Sequence, residues 1–209
     1  MIIIHHLNDS RSQRILWLLE ELGLEYKVNR YERDAETRLA PPALLEVHPL
    51  GKSPVLEEDS LKIHETGAIV EYIIDKYDDG KLAPKRDSIE HIRYTEWIHY
   101  AEGSAMLPLL LRLYTSRLGD AAAPLMPRID GETINHFSYL SKSLGENDYF
   151  LGDELSAADI MLSFPIEAAN MRGGLAKLPN LAEFVKRIQA RPAYKKALER
   201  GGEYSFFIK

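Results

Sequence analysis

Two hydroxyl side chains stand where the first apolar segment of the chain gives way to its first helical pattern. The segment NDSRSQRILWLLEELGL, residues 8–24, places Ser10 and Ser12 in a short polar loop directly before an amphipathic run. A serine at such a place either caps the helix or presents its hydroxyl to a ligand near the positive end of the helix. Residue type and spacing alone leave both interpretations open.

Two later segments also combine polar groups with an element boundary. In HPLGKSPVL, residues 48–56, a cis bond before Pro54 would turn the backbone of Ser53 outward to pair with a peptide-like ligand, whereas a plain trans strand start is the commoner case. In HETGAI, Thr66 is either an N-cap, or Glu65 and Thr66 together hold an ammonium and a carboxylate. An α-amino acid head group carries both of those charges.

Two other patterns indicate structure rather than chemistry. The spacing of Ser156 and Asp159 in LSAADI predicts a capping box at the start of a buried helix. His5 and His6 are neighbours on a predicted strand and point to opposite faces, so they cannot share one metal ion. We therefore expect no metal site.

The composition restricts the class of protein further. The chain has 209 residues, a formal charge of −6 and no cysteine, which excludes disulfides, thiolate metal sites and a cysteine nucleophile. An acidic chain has no electrostatic reason to bind nucleic acid or an anionic membrane. No apolar segment is long enough to span a bilayer, and the opening MIIIHHLNDS lacks the pattern of a signal peptide. We expect a cytoplasmic protein.

The order of elements changes after about eighty residues. Apolar alternation and helical periodicity predict β-α-β-α-β-β-α first, with a weak helix near 36–47 that Pro41 and Pro42 restrict to its first turn or interrupt. The charged stretch DDGKLAPKRD suits a linker, and only helical patterns follow it, near 128–146, 156–172, 179–190 and 192–200 and in one long stretch that Pro108 is expected to bend.

Taken together, these segments resemble a cytosolic glutathione S-transferase. The segments that carry the resemblance are SRSQRILWLLEELGLEY, HPLGKSPVLEED, HETGAIVEYI and LSAADI, in that order, and SRSQRILWLLEELGL with YAEGSAMLPLL most resembles serine-type bacterial and fungal members. The resemblance implies an α/β thioredoxin-like glutathione-binding domain over 1–78, a linker over 79–87 and an all-α domain over 88–209.

The resemblance also implies roles for individual residues. The peptide bond before Pro54 is expected to be cis, with Ser53 pairing with the cysteinyl backbone of glutathione. Glu65 and Thr66 fall on the pair that holds the γ-glutamyl head, although the usual serine is a threonine here. Lys52 is expected to meet the glycyl carboxylate, and His48 is a weaker candidate for the same role.

The catalytic hydroxyl of serine-type relatives lies four residues before the arginine that opens the apolar helix. That arginine is Arg14, so the resemblance assigns the catalytic role to Ser10 and leaves Ser12 as the helix cap. Lowering a thiol pKa of about 8.5 by about two units requires roughly 2.7 kcal/mol. A hydroxyl that donates to a charged acceptor supplies about 1.5–3 kcal/mol, so one serine is enough.

The expected activity is attack of the glutathione thiolate on a hydrophobic electrophile, with glutathione peroxidase activity as a further expectation and detoxification as the role. The electrophile or peroxide is expected in an interdomain cleft, and its predicted contacts are Leu7, Tyr100, Ser104 and Pro108. The family implies a homodimer.

A non-catalytic glutathione-binding or regulatory protein is the alternative, and the missing cysteine disfavours a disulfide reductase. The aromatic tail GGEYSFFIK is expected either to close over the cleft or to pack on the helical domain.

Overall fold

The N-terminal part of the chain alternates strands and helices in the predicted order. In the computed structural model, which describes residues 1–208, the elements are β1 (Ile2–Leu7), α1 (Ser12–Glu21), β2 (Tyr26–Tyr31), α2 (Ala43–Val47), β3 (Val55–Glu58), β4 (Leu61–His64) and α3 (Thr66–Tyr77). The helix expected near 36–47 is only α2, because Pro41 and Pro42 lack the N–H that a longer helix would need there.

The four strands form one mixed sheet in the order β2-β1-β3-β4. β1 runs parallel to β2 and antiparallel to β3, and β4 pairs antiparallel with β3. Helices α1 and α3 pack against each other beside this sheet, with Leu16 and Ile69 fully buried. The sheet fixes where β1 ends, and the loop that follows β1 carries Ser10.

The second part of the described chain is helical. It contains α4 (Ile89–Tyr100), α5 (Met106–Thr115), α6 (Met126–Leu144), α7 (Ala157–Met171) and most of α8 (Pro179–Ala190). A π-helical segment, Ala101–Ala105, separates α4 from α5. Pro108 lies in the first turn of α5, where its missing N–H costs little. The irregular part of the long helical stretch is the π-helical segment, which lies just before the first turn of α5.

The capping box at the start of α7 is confirmed. The Ser156 N–H donates to Asp159 Oδ2 at 2.8 Å, and the Phe150 N–H donates to Asp159 Oδ1 at 2.8 Å. Asp159 is completely buried, and burial raises the pKa of its carboxyl group to about 6. One carboxylate therefore fixes the start of α7, a helix whose residues from Ala157 to Ala169 are buried.

The chain divides into two compact units, and the division differs from the predicted domains at the C-terminus. The first unit comprises residues 1–79 with the described residues from 188, and the second comprises residues 80–187. The C-terminal helix α9 (Pro192–Gly201) packs on α1 of the first unit. An Arg191–Glu21 ion pair contributes to this packing, and the described residues from 188 onward group with the first unit and not with the helical one. No helix among the described residues has the length and apolarity of a membrane span.

Candidate functional site

Ser10 and Ser12 lie side by side but differ in access to solvent. Their Oγ atoms are 2.7 Å apart, and Ser10 Oγ accepts the Ser12 N–H at 3.2 Å. Ser10 keeps 5% of its surface exposed, whereas Ser12 keeps none. Ser12 is also not the helix cap that was expected, because Arg11 is in the N-cap position of α1 and no side chain caps the helix. Of the two serines, only Ser10 therefore keeps any surface open to solvent.

Ser12 is instead held inside the first unit by β1. Its Oγ lies 2.8 Å from His6 Nδ1 and accepts the Leu7 N–H at 3.3 Å. Burial, with the charge of Arg30 as a smaller cause, lowers the pKa of His6 to about 4, against a backbone hydrogen bond with Gly201 that raises it. His6 is therefore a neutral imidazole at pH 7. Sequence reasoning considered His6 only as a metal ligand, and its position on the buried face of β1, next to the serine loop, was the available signal.

Ser53 joins the strand entrance at Pro54 to the same part of β1. Its Oγ donates to the His5 carbonyl at 2.8 Å and accepts the Leu7 N–H at 3.1 Å. The Ser53–Pro54 peptide bond is cis, as the resemblance implied. Because the hydroxyl of Ser53 is occupied by the backbone of β1, only the backbone of this residue is available to a ligand.

Glu65 and Thr66 lie at the start of α3. Glu65 is the N-cap residue, with φ of 72° and ψ of 117°, and its carbonyl accepts the Ile69 N–H at 2.9 Å. Thr66 is the first helical residue and is 3% exposed, so it is not the N-cap. A non-glycine residue in this region of φ costs on the order of 1–3 kcal/mol, and such cost is typical of functional positions. The Glu65 side chain, 72% exposed, faces solvent.

The two candidates for a glycyl carboxylate lie in different surroundings. Lys52 is exposed. His48 is half-buried, its ring centroid lies 4.1 Å from that of His64, and its Nδ1 accepts the Leu50 N–H at 3.3 Å. His48 therefore has one ring nitrogen left for a ligand, and the Lys52 side chain is open to solvent.

The residues predicted to contact a second substrate come from both units, and each is described within its own unit. Leu7 ends β1 and is 3% exposed. Tyr100 ends α4, its hydroxyl lies 2.7 Å from His136 Nδ1, and burial raises the pKa of its phenol. Ser104 is half-buried in the π-helical segment, and Pro108 is buried in α5. Tyr100 and Ser104 are the accessible members of this group.

The aromatic tail is bound to the first unit, beside the serine loop. The Ser205 N–H donates to Asp9 Oδ1 at 2.8 Å, and Ser205 Oγ donates to Asp9 Oδ2 at 3.0 Å. Gln189 accepts the Ile208 N–H and donates to the Phe206 carbonyl. Asp9, which directly precedes Ser10, has φ of 49°. These contacts fix the tail to the loop and to the residues before α9.

Comparisons with known proteins identify the family that both parts of the sequence resemble. A family model described as the glutathione S-transferase N-terminal domain matches residues 1–75, and one described as the C-terminal domain matches residues 126–201. Glutathione S-transferase 3 of Schizosaccharomyces pombe is 34% identical over 96% of this chain and 88% of its own length. Among solved structures, a glutathione S-transferase from Actinobacillus pleuropneumoniae is 34% identical, with a TM-score of 0.87, over 96% of this chain and 93% of that one.

A third relative was solved with its ligand. A sphingomonad glutathione S-transferase complexed with glutathione is 26% identical to this chain, with a TM-score of 0.78, and the match covers 96% of this chain and 98% of that one. The similarity thus extends across both parts of the sequence and both units of the fold. Two family models and a relative that is 34% identical over nearly its whole length lead to one conclusion: the chain belongs to the glutathione S-transferase family.

Proposed function

We propose that this glutathione transferase activates the thiol of glutathione with a hydrogen bond from Ser10. The observation that carries the proposal is the difference in access between the two serines: Ser10 is 5% exposed and Ser12 is fully buried. Ser10 also receives the Ser12 N–H, which fixes its oxygen near the first turn of α1. The proposed role is non-covalent, since the hydroxyl stabilises the thiolate and never bonds to the substrate.

The energies match this role. A shift of about two pKa units corresponds to roughly 2.7 kcal/mol in favour of the thiolate. One hydrogen bond to a charged group supplies about 1.5–3 kcal/mol, and the positive end of α1 adds about 0.3–1 kcal/mol. Together these two contributions are large enough to favour the thiolate of bound glutathione at neutral pH.

The remaining glutathione contacts are proposed from the same part of the fold. The backbone of Ser53 pairs with the cysteinyl unit beside Pro54, and Glu65 with Thr66 holds the γ-glutamyl head. Lys52, assisted by His48, meets the glycyl carboxylate. The exposed carboxylate of Glu65 and the strained backbone at the start of α3 support this assignment.

The finer parts of the function rest on the resemblance. We propose a serine-type enzyme of the cytoplasm that acts as a homodimer in detoxification, and that conjugates hydrophobic electrophiles or reduces peroxides. Leu7, Tyr100, Ser104 and Pro108 are the proposed contacts of the second substrate. A native mass measurement tests the dimer, and turnover with a panel of electrophiles and a hydroperoxide separates transferase from peroxidase activity.

The experiment for the central proposal is the ultraviolet thiolate absorbance of bound glutathione as a function of pH. In the wild type we expect the thiol of bound glutathione to titrate well below its free pKa of about 8.5. In Ser10→Ala we expect the pKa of this thiol to return to about 8.5. Bound glutathione that titrates as in water in the wild type would indicate a glutathione-binding protein without the activation step. An unchanged titration in Ser10→Ala would exclude Ser10 from the role.

A further inference from the structure

Behind Ser10 lies a continuous chain of hydrogen-bonding groups that ends at the C-terminal helix. Ser10 Oγ lies 2.7 Å from Ser12 Oγ, and Ser12 Oγ lies 2.8 Å from His6 Nδ1. The other ring nitrogen of His6 faces Gly201, where an added Cβ would lie 3.2 Å from His6 Nε2. His6 and Gly201 share a backbone hydrogen bond. All four residues belong to the first unit and are buried.

The last residue of α9 determines the tautomer of His6. The hydrogen bond with Gly201 favours the charged form of the imidazole, which is the effect of a ring N–H donating to a carbonyl. The end of α9 is held in place by Arg30, whose Nε donates to the Arg200 carbonyl at 2.7 Å and whose Nη2 donates to the Glu199 carbonyl at 3.0 Å. The single proton of neutral His6 is therefore on Nε2, and Nδ1 is an acceptor.

This tautomer gives the two hydroxyl groups a direction. Ser12 donates to His6 Nδ1 at 2.8 Å in preference to the Leu7 carbonyl at 3.3 Å, since only the hydroxyl has a hydrogen for the shorter contact. Ser12 Oγ then has only lone pairs to offer to its neighbour, so the short contact between the serines requires Ser10 to donate. In the free protein the Ser10 hydrogen thus points inward, and the side of Ser10 Oγ that faces away from Ser12 is an acceptor. A thiol S–H can donate to that side, whereas a thiolate needs the hydrogen to point outward.

We propose that ionisation of the glutathione thiol reverses this chain and that His6 takes up the proton. This proposal rests on the proposed role of Ser10. The thiol S–H bond breaks and its proton joins Ser10 Oγ; the former Ser10 proton passes to Ser12 Oγ, and the former Ser12 proton passes to His6 Nδ1. The products are a thiolate that accepts from Ser10 and an imidazolium whose Nε2–H stays on the Gly201 carbonyl. Ser12 and His6 are accordingly positioning and proton-accepting residues behind the catalytic one.

The charges around His6 set how far its pKa has to move. In the free protein, burial and Arg30 keep the pKa at about 4, against the hydrogen bond with Gly201 and the charge of Asp9; the neutral side chain of Gln13, from α1, lies beside Gly201. Retention of the proton at pH 7 requires a rise of about three units. A thiol paired with an imidazole can have its pKa lowered by about five units, and the thiolate must raise the pKa of the imidazole by the same amount. The needed rise is more than half of this coupling, so the hydrogen-bonded serines must transmit more than half of the effect of the thiolate to His6.

The test compares thiolate formed with protons released by the full-length protein at pH 7. Calorimetry in buffers of different ionisation enthalpy gives the protons released on binding glutathione, and S-methylglutathione, which has no thiol proton, gives the background. Ultraviolet absorbance gives the thiolate. For the wild type we expect less than about half a proton released per thiolate, after subtraction of the background. A histidine Nδ1–H resonance should also appear with glutathione and not with S-methylglutathione.

Variants at Ser12 separate the chain from its surroundings. Ser12→Ala removes the oxygen between Ser10 and His6, so any thiolate should release one proton, and the thiol pKa should rise. Ser12→Thr keeps the hydroxyl and should behave as the wild type. If the wild type forms the thiolate and releases one full proton per thiolate, the proposed proton transfer to His6 is wrong, and the role of Ser10 is unaffected. Absence of thiolate in the wild type overturns the proposed function, and the proton transfer with it.

Discussion

Arg191 and Glu21 form a bidentate ion pair within the first unit. Arg191 Nε donates to Glu21 Oε1 at 2.6 Å, and Arg191 Nη2 donates to Glu21 Oε2 at 2.9 Å. The Trp17 indole N–H reaches the same Oε1 at 2.7 Å. The pair joins the residue before α9 to the end of α1, and α9 in turn carries the carbonyl that binds His6. The position of the C-terminal helix is thus linked to the helix that begins beside Ser10.

Replacement of Arg191 is expected to destabilise the protein. Arg191→Ala should lower the free energy of unfolding by about 2–3 kcal/mol, because two charge-assisted hydrogen bonds disappear and Glu21, only 10% exposed, loses its counter-ion. Arg191→Lys should recover part of the loss, since an ammonium group cannot make the two parallel bonds. Denaturant unfolding measures both, and Lys186→Ala, which breaks an exposed pair with Glu183, is the control. Equal losses at 186 and 191 would contradict this expectation.

The capping box of α7 gives a second stability prediction. Asp159→Asn should lower the free energy of unfolding at pH 7 by about 1–3 kcal/mol. The new amide group has only one oxygen, so its nitrogen faces a backbone N–H that donated to the carboxylate, and that hydrogen bond is lost. Ser156→Ala, which keeps the carboxylate, should cost about 1 kcal/mol. A loss in Asp159→Asn no larger than that in Ser156→Ala would mean that the carboxylate is not the main fixing group.

The same carboxyl group predicts a dependence on pH. Burial raises the pKa of Asp159 from 3.8 to about 6 in the folded protein, so the folded state binds the proton more tightly than the unfolded state. The contribution to stability is therefore complete below pH 3.8 and is lost as the pH rises through 6. Unfolding curves from pH 4 to pH 7 should show this decline in the wild type relative to Asp159→Asn, and parallel curves would argue against it.

A good part of this architecture is predictable from sequence, and the exceptions share a cause. The strand and helix order, the capping box at Ser156 and the cis bond before Pro54 follow from local patterns or from the family resemblance. The burial of Ser12 against His6 does not, because it depends on which face of β1 the loop meets. The attachment of the described residues from 188 to the first unit likewise depends on contacts, such as Arg191 with Glu21, that join residues 170 positions apart.

Glu58 gives a pH prediction of the opposite sign. Burial alone would raise the pKa of its carboxyl group, but hydrogen bonds from Tyr72, Tyr77 and Lys76 outweigh burial and lower the pKa from 4.5 to about 2. The stabilisation is therefore present above pH 4.5 and is lost as the pH falls towards 2. Glu58→Gln should lower the melting temperature at pH 7, and the difference from the wild type should shrink by pH 3.

Thermal unfolding of both proteins at the two pH values measures this effect. Glu25→Gln, which changes an exposed carboxylate of the same unit, should leave the melting temperature nearly unchanged at both. A difference between Glu58→Gln and the wild type that stays constant from pH 7 to pH 3 would mean that the ionised form of Glu58 is not what stabilises the fold.

Thr66 allows the proposed γ-glutamyl site to be tested without disturbing the helix that carries it. Thr66→Val keeps the shape of a side chain that is only 3% exposed and removes its hydroxyl. If that hydroxyl holds a carboxylate of glutathione, the lost hydrogen bond is worth about 1.5–3 kcal/mol, which corresponds to a rise in KM for glutathione of about 10- to 150-fold. Thr66→Ser keeps the hydroxyl and should stay within a few-fold of the wild type. Initial-rate kinetics with glutathione as the varied substrate distinguish the two variants, and melting temperatures check that both are folded. Equal KM values for Thr66→Val and the wild type would remove Thr66 from the site and leave the start of α3 to bind through its backbone N–H groups alone.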